Sequence, residues 1–169
     1  MVLLVENKVI VSEQRLRDQL IQKGFGERKE RELVLDLFEA IFLVEKNKLS
    51  VKDAKGKKLK KEKLLSLGEK ADKKFYSKFL VFCDLRERGY CVKTGLKFGF
   101  DFRVYPRGKK PGEEHSQWVI EVNTQSEKLS MQQLSRMVRL AQNLKTTAIL
   151  SIVDSEDEIN YYEMKRLVP

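Results

Sequence analysis

The segment from Trp118 to Val153 constrains the fold more than any other part of the chain. It opens on a strand-like run over residues 117–123, with Trp118, Val119, Ile120 and Val122 apolar enough to bury one face. Ser130 follows at a helix start, with Gln133 three residues later. At that spacing an N-cap hydroxyl and a glutamine side chain satisfy each other's backbone amides. Leu134, Val138, Ala141 and Leu144 then recur every three or four residues and form an apolar stripe, with Arg136 and Arg139 elsewhere on the circumference. Thr147–Val153 is a second apolar strand, of the interior kind. Strands with one long helix between them predict a layered α/β structure rather than a barrel.

The flanking sequence extends the pattern. Residues 90–93 and 100–105 read as short strands, and Pro106 with Gly108 stops the second. Ile159–Met164 is a last strand, after an acidic turn. Upstream, Val2–Val5 and Val9–Val11 predict a hairpin, and Ser12 reads as the cap of a helix reaching Lys23 and ended by Gly24-Phe25-Gly26. Leu33, Leu37, Phe38 and Ile41 fall at helical spacing, so residues 30–44 read as a second helix. Residues 49–51 read as an edge strand, and residues 61–87 as one long helix. The character changes near residues 72–78, which divides the chain into an N-terminal mixed α/β domain (1–74) and a C-terminal domain (75–169).

Charge is unevenly spread along the 169 residues. Of the formal net charge of +9, residues 46–74 supply +8, from 12 lysines and 4 acids, while 101–128 and 129–169 each balance to zero. The lysine run is either a solvated face or a diffuse phosphate-attracting patch, and it lacks the interleaved aromatics that read bases. No 18-residue apolar stretch occurs, so no membrane partner or span is expected. The first residues lack the order of a signal peptide. Cys83 and Cys91 are too few for a disulfide framework or a cysteine-based zinc site, so a reducing, cytoplasmic setting is expected.

No phosphate loop, dinucleotide fingerprint, zinc-protease helix or nucleophile elbow is present. His115 is the single histidine, between a Gly/Pro loop and the Trp118 strand. It cannot build a histidine metal site alone, but a strand end beside a loop suits an acid–base group. Tyr105 lies ten residues earlier at the end of its own strand, so the two side chains converge if the strands are neighbours. A tyrosine needs cationic neighbours to act as a base, and Arg103, Arg107, Lys109 and Lys110 are near in sequence. These residues are compatible with metal-free acid–base chemistry and equally with plain binding.

Several ordered blocks resemble the archaeal tRNA-splicing endonucleases. The run from Arg88 to Gly108, containing Phe102-Arg103-Val104-Tyr105, is followed by Glu114-His115-Ser116, then Val138-Arg139-Leu140-Ala141, Ile152-Val153-Asp154 and Tyr161-Tyr162. The resemblance implies a small N-terminal α/β domain and a three-layer nuclease domain with a mixed central sheet. It implies cleavage of precursor tRNA at bulge–helix–bulge intron boundaries, with no cofactor or metal. Tyr105 would take the 2′-hydroxyl proton, His115 would protonate the departing 5′-oxygen, and a lysine would neutralise the phosphoryl charge. In the family that lysine follows an arginine near the helix end. Here the position falls on Thr146, with Lys145 one residue before it. Either Lys145 serves in its place, or the chain is a weakened or non-catalytic subunit paired with a complete relative. Arg139 and Arg166 are the implied RNA contacts. Asp154, Glu156, Asp157 and Glu158 form the loop that would dock on an identical or homologous subunit within a tetramer.

Overall fold

The computed structural model describes all of residues 1–169, which separate into two compact units, Met1–Tyr76 and Ser77–Pro169. In the first unit, β1 (Val2–Val5) and β2 (Lys8–Val11) form the expected hairpin, turning through Glu6 at φ 54°. Helix α1 (Gln14–Gln22) is preceded by Glu13 at the N-cap, not Ser12. The Ser12 amide instead donates to the Met1 carbonyl at 3.0 Å, closing the open end of the hairpin.

The helix expected over 30–44 is half strand. β3 (Glu27–Lys29) and β4 (Glu32–Asp36) pair antiparallel, and α2 (Leu37–Glu45) starts only after them. Leu33 and Leu35 alternate into the core with no exposed surface, a period of two that the wider helical spacing concealed. Asp36 and Glu39 then form a capping box that fixes where the helix begins. The sheet order is β1-β2-β4-β3. Residues 49–51 form no strand, and the residue after them, Lys52, forms an isolated bridge with Leu3 of β1. Residues 61–87 are two helices, α3 (Lys61–Ala71) and α4 (Phe75–Glu87). They separate because Asp72 adopts extended backbone and its carboxylate accepts the Lys74 amide at 2.9 Å.

The second unit holds β5 (Cys91–Thr94), a short 3-10 turn (Leu96–Phe98), β6 (Phe102–Tyr105), β7 (Trp118–Thr124), α5 (Met131–Asn143), β8 (Thr147–Val153) and β9 (Ile159–Met164). The sheet runs β5-β6-β7-β8-β9 and is mixed, with β7 and β8 parallel and every other pair antiparallel. A parallel pair needs a crossover, and α5 supplies it. Ser130 caps this helix as expected, accepting the Gln133 amide at 3.1 Å. On one sheet face Phe100, Val119 and Ala148 pack beneath Met137 and Ala141 of α5. On the other, the Phe102 ring lies 6.1 Å from Phe82 of α4. Helix, sheet and helix therefore form three layers. No helix is long and apolar enough to cross a membrane.

The α4 face carries a polar tie, the Tyr161 hydroxyl donating to Asp84 at 2.7 Å. Burial first, then this hydrogen bond and the Asp84 charge, raise the Tyr161 pKa well above its ordinary value of 10. The protonated phenol is therefore favoured in the fold. Its contribution is fully present below the unfolded pKa and is lost as pH rises beyond it, because the unfolded chain then releases a proton that the folded chain keeps. Above about pH 10, thermal melts should show stability falling more steeply with pH than in a Tyr161→Phe variant.

Candidate active site

The β6–β7 register pairs Arg103 with Val119 and Val104 with Trp118. Alternation along β6 then puts Arg103 and Tyr105 on the same face as Val119, the face covered by α5. The connecting loop bends back through Gly108 and Gly112, both with positive φ (75° and 90°), the conformation that glycine adopts without steric cost. It is braced by the Lys110 amide donating to Glu113 at 3.1 Å and by a bridge between Pro111 and Glu114. The Gln117 amide donates to the Val104 carbonyl at 2.7 Å and returns the chain to the ladder.

This geometry gathers Tyr105 and His115 around one cleft of about 550 Å³, whose walls include Arg103, Phe98, Glu114 and Leu144. Tyr105 is 5% exposed and forms the floor, whereas His115 is exposed on the loop. Burial raises the Tyr105 pKa, the nearby Arg103 charge pulls it back, and desolvation is the larger influence. Of the four cations near Tyr105 in sequence, Arg103 alone lines the cleft. Arg107 stacks over Tyr90 at 4.9 Å and lines a separate cavity on the α4 face, and Lys110 pairs with Glu113 at 3.6 Å.

Lys145 lies one residue beyond Leu144 of the cleft wall. Helix α5 ends in a closed Schellman motif, with the Lys145 amide on the Gln142 carbonyl and the Thr146 amide on Ala141, both at 3.0 Å. Lys145 occupies the left-handed position at φ 54° and is exposed. Its neighbour Leu144 lines the cleft, and Lys145 does not. Thr146 faces elsewhere, into a cavity of about 190 Å³ that it shares with Arg166, and its hydroxyl is buried without a hydrogen-bond partner. Arg139 is exposed on α5 outside both cavities. In the acidic turn the Asp154 carboxylate accepts the amides of Glu156 (2.8 Å) and Glu158 (2.9 Å), so it shapes the loop that displays the other three acids to solvent. No three His, Cys, Asp or Glu side chains cluster as a metal-ligand set.

The catalytic C-terminal domain of the tRNA intron endonucleases matches residues 75–161, and the N-terminal domain of the same enzymes matches residues 2–65. The chain is 41% identical over 160 residues to a tRNA-splicing endonuclease of Thermococcus kodakarensis, covering 94% of this chain and 93% of the relative. A tRNA-splicing endonuclease of Thermococcus gammatolerans is 42% identical over 144 residues, 85% of this chain and 83% of the relative. One from Methanococcus maripaludis is 33% identical over 161 residues, 95% of this chain and 90% of the relative. The chain belongs to the tRNA intron endonuclease family.

Within this endonuclease fold, β6 and the loop after it bring Tyr105 and His115 to the cleft, and Leu144, the C-cap residue of α5, forms part of its wall. Sequence reasoning treated Arg103 only as one of several charges near Tyr105. The signal that separates it was present in the strand period, since positions 103 and 105 share a face and position 107 lies beyond the strand end. Phe98 and Leu144 were not legible as cleft walls, because each reaches the site through a turn whose direction only the fold sets.

Proposed function

We propose that this endonuclease cuts precursor tRNA at intron boundaries folded as a bulge–helix–bulge, by attack of a 2′-hydroxyl on the adjacent phosphorus. The observation that supports this most directly is the meeting of Tyr105 and His115 at one cleft, from opposite ends of the β6–β7 loop. Tyr105 accepts the 2′-hydroxyl proton, the new O–P bond forms, and the P–O5′ bond breaks as His115 donates a proton to the leaving oxygen. The products are a 2′,3′-cyclic phosphate and a 5′-hydroxyl. DNA lacks the nucleophile and is not cut. Lys145 adds a positive charge one residue beyond the cleft wall, where its flexible four-carbon stem lets the ammonium approach the RNA backbone. Arg139 and Arg166 grip the flanking nucleotides. Glu156, Asp157 and Glu158 dock on an identical or homologous subunit, giving a tetramer with two sites for the two cuts.

The test is incubation of the purified chain with precursor tRNA in EDTA, followed by analysis of the ends. Paired cuts leaving cyclic phosphate and 5′-hydroxyl termini are expected at an undiminished rate. Products with 5′-phosphate ends, or cleavage abolished by the chelator, would exclude this chemistry. Thr146 at the position of the family's lysine favours a second reading, a subunit that works only beside a complete relative. That reading predicts inactivity alone and cleavage after mixing with a homologous chain.

A further inference from the structure

Attack on a phosphodiester builds negative charge on the non-bridging oxygens, and a cation placed there in advance is worth most in a partly dry site. The cleft walls include two acids, Glu113 and Glu114, and one permanent cation, Arg103. Lys145 is not part of the lining, and Thr146 opens into another cavity. We propose that Arg103 is a catalytic residue, its guanidinium binding a non-bridging oxygen of the scissile phosphate and carrying the charge that develops there. This rests on the cleavage reaction assigned above to the same cleft.

The side chain is held for that task. Its Nε donates to the Thr94 carbonyl at 3.4 Å, and the guanidinium carbon lies 4.7 Å from the centre of the Phe98 ring. Stacking and one backbone bond restrain the guanidinium plane, and neither uses the terminal nitrogens. Arg103 forms no ion pair, so no carboxylate has to be displaced before phosphate binds. The guanidinium carbon is 6.0 Å from the centre of the Tyr105 ring. One ribose–phosphate unit can therefore place its 2′-hydroxyl at the tyrosine and its phosphate at the arginine. Glycine at position 95 supports the arrangement, since a Cβ there would meet the Phe100 and Phe102 backbone at 3.0 Å and disturb the turn that carries Phe98.

The experiment measures single-turnover cleavage at saturating precursor RNA for the parent chain, supplemented with a homologous subunit if it is inactive alone. Arg103→Gln, Arg103→Lys and Lys145→Ala are compared, on normal RNA and on RNA with one non-bridging oxygen at the cut site replaced by sulfur, each diastereomer separately. Arg103→Gln should cut about a hundredfold or more slowly, with Arg103→Lys intermediate and Lys145→Ala slowed less than about tenfold. One sulfur diastereomer should slow the parent about tenfold, and that penalty should vanish in Arg103→Gln. A merely structural arginine would leave the sulfur penalty intact, which overturns the proposal, as does an Arg103→Gln rate within threefold of the parent. If Arg103→Gln fails to fold, the Arg103→Lys sulfur penalty decides, an undiminished value counting against the contact. No cleavage by the parent under either condition would overturn the functional reading, and the role of Arg103 with it.

Discussion

Replacing His115 by alanine should slow cleavage about a hundredfold to ten-thousandfold, and the loss should largely disappear on RNA whose 5′-bridging oxygen at the cut site is sulfur. An alkoxide is a poor leaving group and needs its proton as the P–O bond breaks. A thiolate, from a group with a reference pKa of about 8.5, departs without one. The sulfur substrate therefore bypasses the acid and leaves the other steps in place. Tyr105→Phe should lose a similar factor on the normal substrate and recover nothing from sulfur, because the nucleophile's proton must still be removed. If the sulfur substrate leaves His115→Ala as slow as before, His115 is not the proton donor. The pH dependence separates the pair further. Burial holds the Tyr105 pKa above 10, so its basic form grows tenfold per pH unit below that value. The Tyr105-dependent part of the rate should rise with pH in that range, and Tyr105→Phe should flatten it.

Legibility in the sequence followed the length of the pattern that carried each element. Over Trp118–Val153, two seven-residue strands and a capped thirteen-residue helix each repeat their period several times, and all three lie where the sequence placed them. The N-terminal misreading arose in a five-residue strand, where Leu33 and Leu37 at a spacing of four mimic one helical turn. What decided it was pairing on both sides of β4, with the distant β2 on one and, through a two-residue turn, with β3 on the other. Asp72 cut one helix into two through local hydrogen bonds, its carboxylate accepting from the Lys74 amide and its carbonyl from the Phe75 amide. In the site, Tyr105 and His115 were legible because they flank one loop between adjacent strands. Lys145 and Thr146 were not resolvable by helical angle, because the chain leaves the helix between Leu144 and Lys145. Beyond that point the backbone is left-handed at Lys145 and then enters β8, so the 100° step per residue no longer says where a side chain points.

Phe102→Ala should be among the single changes most damaging to stability while leaving the cleft residues untouched. Phe102 is 1% exposed at the start of β6, between Thr94 of β5 and Ile120 of β7, with its ring against Phe82. Removing a buried phenylalanine costs about 3–5 kcal/mol through lost transfer energy and the cavity left behind. Folded domains hold about 5–15 kcal/mol in total, and a unit of this size shifts its midpoint about 4–8 °C per kcal/mol. The melting midpoint should therefore fall by more than about 12 °C, whereas Phe102→Leu should recover most of the loss. Activity tests the two-sided character of the strand. Phe102 points to the α4 face, while its neighbours Arg103 and Tyr105 point to the cleft. Well below the lowered midpoint, Phe102→Ala should cut RNA within a few-fold of the parent, whereas Arg103→Gln should lose cleavage with its melting temperature little changed. A folded Phe102→Ala protein that cannot cut would show that the two faces of β6 are mechanically coupled, with packing against α4 setting the position of Arg103 and Tyr105.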